Sequence, residues 1–305
     1  MSDANFRVPL SLILDDGAPI NAAYFMHPEE EHEALIPNSF TDQFAAICEA
    51  RGVLGKYSVL PMPSGAGRID HSLSYVSDED LAGYIDIVRS RLAGRFDITP
   101  EILTHLAAYD IDNDRLLHRY EDEWIATASV ADMTRYISFA LEILNNVGLE
   151  ANGVTSPWRA GMGKEEQFAR AVGEAQYAVN DRTFTWYFMH MDVRGRPRDP
   201  FVSWAEEERG IQVVSQPCSV GDLFGRLVPA IDEVISTDGR TGRIPELIAA
   251  GYPVIMLTHW QSLFSDGSAA GLWELDEVLN RISIHYGDRV EWTTCSDLAR
   301  TALDS

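Results

Sequence analysis

The stretch Val8-Pro-Leu-Ser-Leu-Ile-Leu-Asp15-Asp16-Gly17 places an aliphatic run directly before two carboxylates and a glycine. Strands buried in parallel sheets are near-continuous apolar runs, so Val8 to Leu14 is predicted to be such a strand. Two adjacent carboxylates at a strand end repel each other. The repulsion is relieved if they bind a cation, or if one is protonated so that the two act as acid and base. Asp-Gly is also a common turn pair, and a plain turn is the alternative explanation.

The same alternation of short apolar runs with helical segments continues along the chain and predicts an α/β protein with a mostly parallel sheet. Strands are expected near Val8 to Leu14, Lys56 to Leu60, Arg95 to Ile98, Ala151 to Thr155, Thr183 to Met189, Ile211 to Val214, Pro253 to Leu257 and Arg289 to Trp292. The clearest helices are Phe40 to Ala50, Leu81 to Leu92 and Ser129 to Asn146. No linker divides the chain, so residues 1–305 are expected to form one domain, a distorted (β/α) barrel of about seven or eight strands.

The composition limits the classes of partner. The 305 residues include 24 Lys and Arg against 47 Asp and Glu, which gives a net charge of −23, and 46% of residues are hydrophobic. Such a chain can bury a core, while its surface repels phosphate backbones and anionic lipid, so neither nucleic acid nor membrane is an expected partner. The amino terminus lacks the pattern of an export signal, and a cytoplasmic location is expected. The cysteines are expected to be buried, reduced thiols.

A second polar group follows the third predicted strand, in Ile98-Thr99-Pro100-Glu101-Ile102-Leu103-Thr104-His105. Thr99 followed by Pro100 is typical of a helix N-terminus, which would place Glu101 and His105 four apart on one helical face. A carboxylate and an imidazole so placed can bind one metal ion. The alternative is an ordinary exposed Glu-His pair on a helix surface.

A third polar group ends the penultimate strand, in Val254-Ile-Met-Leu-Thr-His259-Trp260. In parallel barrels the loops after the carboxyl ends of the strands build the active site, so Asp15, Glu101 and His259 are expected at one rim. A lone histidine beside an aromatic residue is otherwise most often structural.

The order of these motifs resembles the polysaccharide deacetylase superfamily, carbohydrate esterase family four. The resemblance extends nearly end to end. Besides the three groups above, it includes the Pro-aromatic element Thr155-Ser156-Pro157-Trp158 and the closing Thr294-Cys295-Ser296-Asp297-Leu298. It implies a deacetylase-like (β/α) barrel and the metal-dependent hydrolysis of an acyl group on a carbohydrate.

The resemblance also implies roles for the matching residues. Asp15 corresponds to the general base of the family and His259 to its general acid. Asp16 and His105 correspond to metal ligands, and Glu101 stands where the family has a histidine. Together these residues imply one divalent metal ion. A glutamate makes the ligand set richer in oxygen, which shifts the preference from zinc towards a harder ion such as manganese or magnesium.

The sequence departs from the family pattern at a second place. The arginine that usually precedes the proline of the Pro-aromatic element is absent, and Arg159 would orient Asp15 only if its loop turned inward. Asp70 and His71, after the second strand, are a reserve metal or substrate site if Glu101 points away.

Five residues are candidates for binding the substrate. Trp158 and Trp260 offer flat faces that suit sugar rings. Arg68 is a cation that could bind an acidic group of a saccharide. Arg159, next to Trp158, and His190, which ends the fifth strand, are the other two candidates. The alternatives are packing aromatics, acid-paired arginines and a core histidine.

The sequence thus favours a metal-dependent hydrolase that cleaves an amide or ester on a carbohydrate or small sugar derivative. A carbohydrate-cleaving enzyme, either a glycosidase or a lyase, on the same barrel is the first alternative, because fold does not determine chemistry. A non-catalytic sugar-binding protein is the second, motivated by Glu101 and the missing arginine.

Overall fold

Strands and helices alternate along the chain in a computed structural model that describes residues 7–26, 32–222 and 231–304. The strands are β1 (Val8–Gly17), β2 (Gly55–Val59), β3 (Phe96–Pro100), β4 (Ala107–Asp110), β5 (Arg115–Tyr120), β6 (Gly153–Thr155), β7 (Phe184–Phe188), β8 (Phe201–Glu206), β9 (Ile211–Ser215), β10 (Val254–His259) and β11 (Val290–Trp292). The helices are α1 (Ala22–Met26), α2 (Asn38–Arg51), α3 (Asp78–Ile87), α4 (Glu121–Thr127), α5 (Val130–Asn146), α6 (Glu165–Asn180), α7 (Ile231–Val234), α8 (Arg243–Ala250), α9 (Trp260–Phe264), α10 (Ala270–Tyr286) and α11 (Cys295–Arg300).

Each predicted strand overlaps an observed one, and β4, β5 and β8 are additional. β4 and β5 form an antiparallel hairpin, and β8 pairs antiparallel with β9. The side chains of β5 and β8 are mostly exposed or half-buried, so these strands lack the apolar runs that identified the others.

The parallel strands are divided between two sheets. One has the order β10-β1-β2-β3, with β11 also paired to β1, and the other has the order β6-β7-β9-β8. A single bridge joins Thr155 of β6 to Glu101, the residue after β3, and another joins Met256 of β10 to Val220, in the segment that follows β9. The mostly parallel α/β fold is therefore confirmed, and the barrel of seven or eight strands stays a prediction.

Helix α5 follows the predicted pattern closely. Ser129 caps it, accepting a hydrogen bond from the backbone N–H of Asp132 at 3.2 Å, while the Asp132 carboxylate accepts one from the N–H of Ser129. The predicted apolar face is buried: Met133, Ile137, Ala140, Leu141 and Leu144. None of the helices in the described ranges is long and apolar enough to cross a membrane.

The two faces of β1 meet different cores. Leu12 and Leu14 pack in the large core under the helices, whereas Ile13 packs in a smaller core with Ile255 and Leu257 of β10. Because strand side chains alternate, Asp15 continues the face of Ile13 and lies at the carboxyl end of this inner core. Cys295, the first residue of α11, belongs to the same inner core, and it is buried and unpaired, as are the other two cysteines.

Candidate active site

A bulge at the end of β1 explains why two adjacent aspartates share one site. Leu14 pairs with Tyr57 of β2 but Gly17 pairs with Val59, so β1 contains one extra residue. Asp16 has a φ of 65°, an uncommon backbone conformation that breaks the alternation of the strand. Gly17 is required here because a Cβ would lie 2.3 Å from the carbonyl oxygen of Ser58. Both carboxylates are thereby buried at the carboxyl end of the sheet.

Asp15 is paired with a buried lysine that the sequence analysis did not identify. Lys56 of β2 is fully buried, and its Nζ forms an ion pair with Asp15 Oδ1. The ammonium also lies 5.1 Å from the centre of the Phe188 ring. Ser58 donates a hydrogen bond to the same oxygen of Asp15 at 3.1 Å. The only sequence signal was a charged residue inside a predicted strand. Lys56 is the cation that the structure pairs with Asp15.

The loop from Glu101 to His105 is not a helix, which contradicts the prediction. Thr99 and Pro100 belong to β3 and pair with Ser58 and Val59, so Thr99 cannot cap a helix. The chain turns instead through Ile102 and His105, with φ values of 34° and 54°. This tight loop still brings Glu101 and His105 together, although not by helical spacing.

A buried carboxylate holds this loop in place. Glu121 at the start of α4 accepts hydrogen bonds from the backbone N–H groups of Leu103, Thr104 and His105, at 3.0 to 3.2 Å, and from the hydroxyl of Tyr136 at 2.8 Å. Burial raises the pKa of Glu121 to about 7, although these hydrogen bonds oppose the rise. The conformation of His105 therefore depends on a residue sixteen positions later in the chain.

Replacing Glu121 by glutamine should lower the free energy of unfolding by about 2 kcal/mol, since an NH2 group would face backbone donors that need an acceptor. Urea denaturation measures the change. Tyr136→Phe removes one donor and leaves the carboxylate, so its effect should be smaller. Equal stability of Glu121→Gln and the native protein would contradict this role.

Asp16, Glu101 and His105 form a compact buried group. His105 Nδ1 lies 3.4 Å from Asp16 Oδ1, and His105 Nε2 lies 3.4 Å from Glu101 Oε1. One ligand atom from each residue lies within 4.8 Å of the others. Asp16 Oδ1 and His105 Nδ1 are buried without a hydrogen-bond partner. Unpartnered buried polar atoms are costly, and a cation bound between them would satisfy both.

The charges of this group also favour a cation. Burial and the charges of Asp16 and Asp15 raise the pKa of Glu101 well above its usual value. Burial opposes ionisation of Asp16 too, but His105, His259 and a hydrogen bond from Gln261 lower its pKa. Gln261 Nε2 donates to Asp16 Oδ2 at 2.6 Å, which directs Oδ1 towards His105.

His259 pairs with a second carboxylate that the sequence analysis missed. Its Nδ1 lies 2.7 Å from Asp222 Oδ2, and Ser262 donates a hydrogen bond to the same oxygen at 2.7 Å. Burial lowers the pKa of His259, but the Asp222 hydrogen bond and the charges of Asp16 and Asp15 outweigh it and raise the pKa to about 9. His259 lies opposite Asp15 in the pairing of β10 with β1.

Replacing Asp222 by asparagine should move the alkaline limb of the pH profile of kcat/KM to lower pH. The reason is that the pKa of His259 falls when its carboxylate partner is lost, so the protonated form disappears at a lower pH. Ser262→Ala, which keeps the carboxylate, is the matched control and should move the limb little. An unchanged limb in Asp222→Asn would exclude His259 as the titrating group.

The two candidate tryptophans occupy different environments. Trp158 is 41% exposed, and its ring centre lies 4.7 Å from that of His105. The structure contradicts the predicted contact of Trp260 with substrate. Trp260 is fully buried, and its Nε1 donates a hydrogen bond to the carbonyl of Ala18 at 3.0 Å. Helix α9 begins at Trp260 and turns the indole into the core, against Phe40 and Phe44.

The remaining candidates lie outside the Asp-Glu-His group. Arg68 forms a bidentate ion pair with Asp70. This pair occupies both the arginine predicted to bind substrate and the carboxylate of the predicted reserve site. Arg159 is exposed, and Lys56 rather than Arg159 holds Asp15. His190 Nε2 lies 2.7 Å from Glu165 Oε1, so this histidine belongs to a separate, partly buried pair.

Comparisons with known proteins concern the fold. No family model matches the chain, and no curated protein matches its sequence. The fold matches 4-alpha-glucanotransferase from Thermococcus litoralis, with a TM-score of 0.52 and 13% identity, over 96% of this chain but only 40% of that one. It also matches a candidate glycoside hydrolase/deacetylase from Parabacteroides distasonis, with a TM-score of 0.56 and 12% identity, over 97% and 72% of the two chains.

A family 4 carbohydrate esterase from Streptomyces lividans is found at 11% identity over 92% of this chain and 88% of that one, but its TM-score of 0.35 is too low to support an inference. At such identities the likeness shows the fold alone. The chain has the α/β fold of the glycoside hydrolase/deacetylase structure, in agreement at the level of the fold with its resemblance to the polysaccharide deacetylase superfamily.

Proposed function

We propose that the protein is a metal-dependent hydrolase that removes an acyl group from a carbohydrate or small sugar derivative. The observation that carries the proposal is the buried group of Asp16, Glu101 and His105, whose unpartnered Asp16 Oδ1 and His105 Nδ1 lie 3.4 Å apart. These three residues would hold one divalent ion, zinc or a harder ion such as manganese. A bound divalent ion lowers the pKa of water and polarises a carbonyl oxygen.

The balance of charge supports a divalent ion. Asp15, Asp16 and Glu101 bring three carboxylates together, and Lys56 contributes one ammonium. When all three carboxylates are ionised, two negative charges remain. One divalent cation would neutralise them and so lower the free-energy cost of burying the whole group.

Asp15 would accept a proton from the attacking water. Lys56 and Ser58 both contact Oδ1, which holds the carboxylate in one orientation and leaves Oδ2 to take the proton. His259 lies opposite Asp15, and a pKa of about 9 keeps it protonated at neutral pH. His259 would therefore donate its proton to the leaving amine or alkoxide.

The alternative of a glycosidase is less well supported by the same geometry. Asp16 and Glu101 have ligand atoms within 4.8 Å, close to the spacing of about 5 Å in retaining glycosidases. A sugar ring would have to lie between them, however, and the backbone N–H of Asp16 donates to Glu101 Oε2 at 2.8 Å. Both residues are nearly fully buried, so a cation fits between them better than a sugar.

The test is an assay of the purified protein on N-acetylated chitooligosaccharides after chelation and after return of zinc or manganese. We expect acetate release that chelation abolishes and metal restores, with no new reducing ends. Full activity in chelator would refute the metal-dependent proposal, and new reducing ends would support the glycosidase. Asp15→Asn should abolish acetate release. If the native protein binds the sugar but releases no acetate, a non-catalytic binding protein is favoured.

A further inference from the structure

A groove of about 420 Å³ reaches the Asp-Glu-His group at Trp158, which lines the groove and contacts His105. Its apolar lining includes Phe25, Tyr120 and Trp158, and Trp158 connects it to the site through its contact with His105. The volume lies within the range of about 300–1,000 Å³ that is usual for small-molecule sites. A molecule bound in the groove would adjoin any substrate held at the Asp-Glu-His group.

The exposed aromatic residues gather around this groove. Of the five aromatic residues that are prominently exposed within the described ranges, Tyr120 and Trp158 line the groove, and Tyr24 and Tyr75 contact its Phe25. Tyr120 and Trp158 meet edge to face, with ring centres 5.6 Å apart. Exposed aromatic clusters of this kind mark binding surfaces, and their faces suit the apolar faces of pyranose rings.

The backbone of Trp158 is strained. Its φ is 46°, in the left-handed region that non-glycine residues rarely adopt. Backbone strain of this kind persists where the surrounding structure imposes it, and it concentrates at functional sites. Tyr75, with a φ of 70° and 58% exposure, shows the same combination of strain and exposure.

The charged lining of the groove is acidic. Asp122 and Glu123 line it, and each uses one carboxylate oxygen at the start of α4. Asp122 Oδ1 accepts a hydrogen bond from the N–H of Glu123 at 2.9 Å, and Glu123 Oε2 accepts one from the N–H of Tyr120 at 3.3 Å. Arg159 follows Trp158 in the chain but does not line the groove. On a protein with a net charge of −23, this lining repels uronic acids and sulfated sugars and attracts cations.

We infer that the groove binds a pyranose carrying a free ammonium, stacked on Trp158 and Tyr120 and paired with Asp122 or Glu123. The inference rests on the proposed function and specifies its substrate: an oligosaccharide in which an amino sugar lies next to the sugar that loses its acyl group. An ammonium over an aromatic face adds a cation–π attraction to the charge pairing. The acidic saccharide suggested by Arg68 is not the substrate.

Binding of three tetrasaccharides by calorimetry tests this inference: glucosamine, N-acetylglucosamine and galacturonate tetramers, at mildly acidic pH where the amines are protonated. The native protein should bind the glucosamine tetramer about five- to tenfold more tightly than the N-acetylglucosamine tetramer and the galacturonate tetramer most weakly. The double variant Asp122→Asn/Glu123→Gln should lose the preference for the amine. Added salt should reduce that preference in the native protein.

The controls separate charge in the groove from net charge and from folding. Glu207→Gln/Glu208→Gln makes the same change in net charge at exposed residues outside the groove and should keep the preference. Tyr120→Ala should weaken binding of all three tetramers by about tenfold, through loss of stacking. The Tm of each variant establishes that it is folded, because Asp122 and Glu123 also lie in the first turn of α4.

Tighter binding of the galacturonate tetramer, or an unchanged preference in Asp122→Asn/Glu123→Gln, would overturn the inference. Failure of this inference can be distinguished from failure of the proposed function. Loss of acetate release with retained preference for the amine would refute the hydrolase and leave the groove as a binding site. Acetate release without any preference for the glucosamine tetramer would refute only the inference about the groove.

Discussion

Replacing Glu101 by glutamine should reduce the affinity for zinc and manganese by more than about 100-fold and abolish acyl release. Removal of a partner outside the ligand set costs about 10–100-fold in affinity at metal sites, so the loss of a ligand should cost more. Glu101 is 2% exposed and accepts a hydrogen bond from the Asp16 N–H at 2.8 Å. Glutamine has the same shape and keeps an oxygen for that hydrogen bond, so the variant should still fold.

Metal content after dialysis, and competition with a chelating dye, measure the effect. Asp97→Asn is the matched control, because Asp97 is a buried carboxylate of β3, at the end of the strand away from Glu101, and bonded to Asn152 and Ser296. It should retain the metal. If Glu101→Gln bound metal as tightly as the native protein, Glu101 would not be a ligand, and the departure from the family pattern would carry no meaning for the metal.

Replacing Lys56 by methionine should lower the free energy of unfolding by about 3–5 kcal/mol, because it leaves the Asp15 carboxylate buried without its cation. Lys56 is fully buried and Asp15 is 4% exposed, so little solvent reaches either group. In the proposed reaction Lys56 would act through Asp15, as a positioning residue. We therefore also expect kcat to fall sharply while KM changes little. Urea denaturation and steady-state kinetics measure the two effects.

Two further variants isolate the pair. Lys56→Met/Asp15→Leu removes both charges and should recover much of the stability without recovering any activity, since a buried pair replaced by apolar residues is often neutral. Arg89→Ala breaks the exposed ion pair with Asp86 and should change the stability by less than about 1 kcal/mol. A fully stable Lys56→Met would mean that Asp15 does not depend on this lysine for its buried charge.

Local sequence was sufficient for the buried strands and the clearest helices of this fold. The apolar run of Val8–Leu14, the cap at Ser129 and the buried face of α5 are determined by residues within a few positions of one another. The sequence also indicated three residues that the structure brings together, Asp16, Glu101 and His105. Asp16, Glu101 and His105 each stand near the carboxyl end of a parallel strand, and these ends meet at one edge of the sheet.

The sequence predicted the wrong local structure for one part of that site. Thr99-Pro100 is a good helix start by itself, but pairing with Ser58 and Val59 keeps both residues in β3. Hydrogen bonds to Glu121 then hold the following loop. Tertiary contacts outweighed a local preference, and such preferences amount to only about 1 kcal/mol.

By itself the sequence determined the buried strands, the clearest helices and which side chains gather at the sheet edge, because hydrophobic period and capping act over a few residues. Only the tertiary structure decided how those side chains are oriented and paired. The bulge of β1 depends on the register with β2, and the partners Lys56 and Asp222 reach Asp15 and His259 from 41 and 37 residues away. Contacts over such distances depend on packing of the whole chain, which leaves no periodic pattern in the sequence.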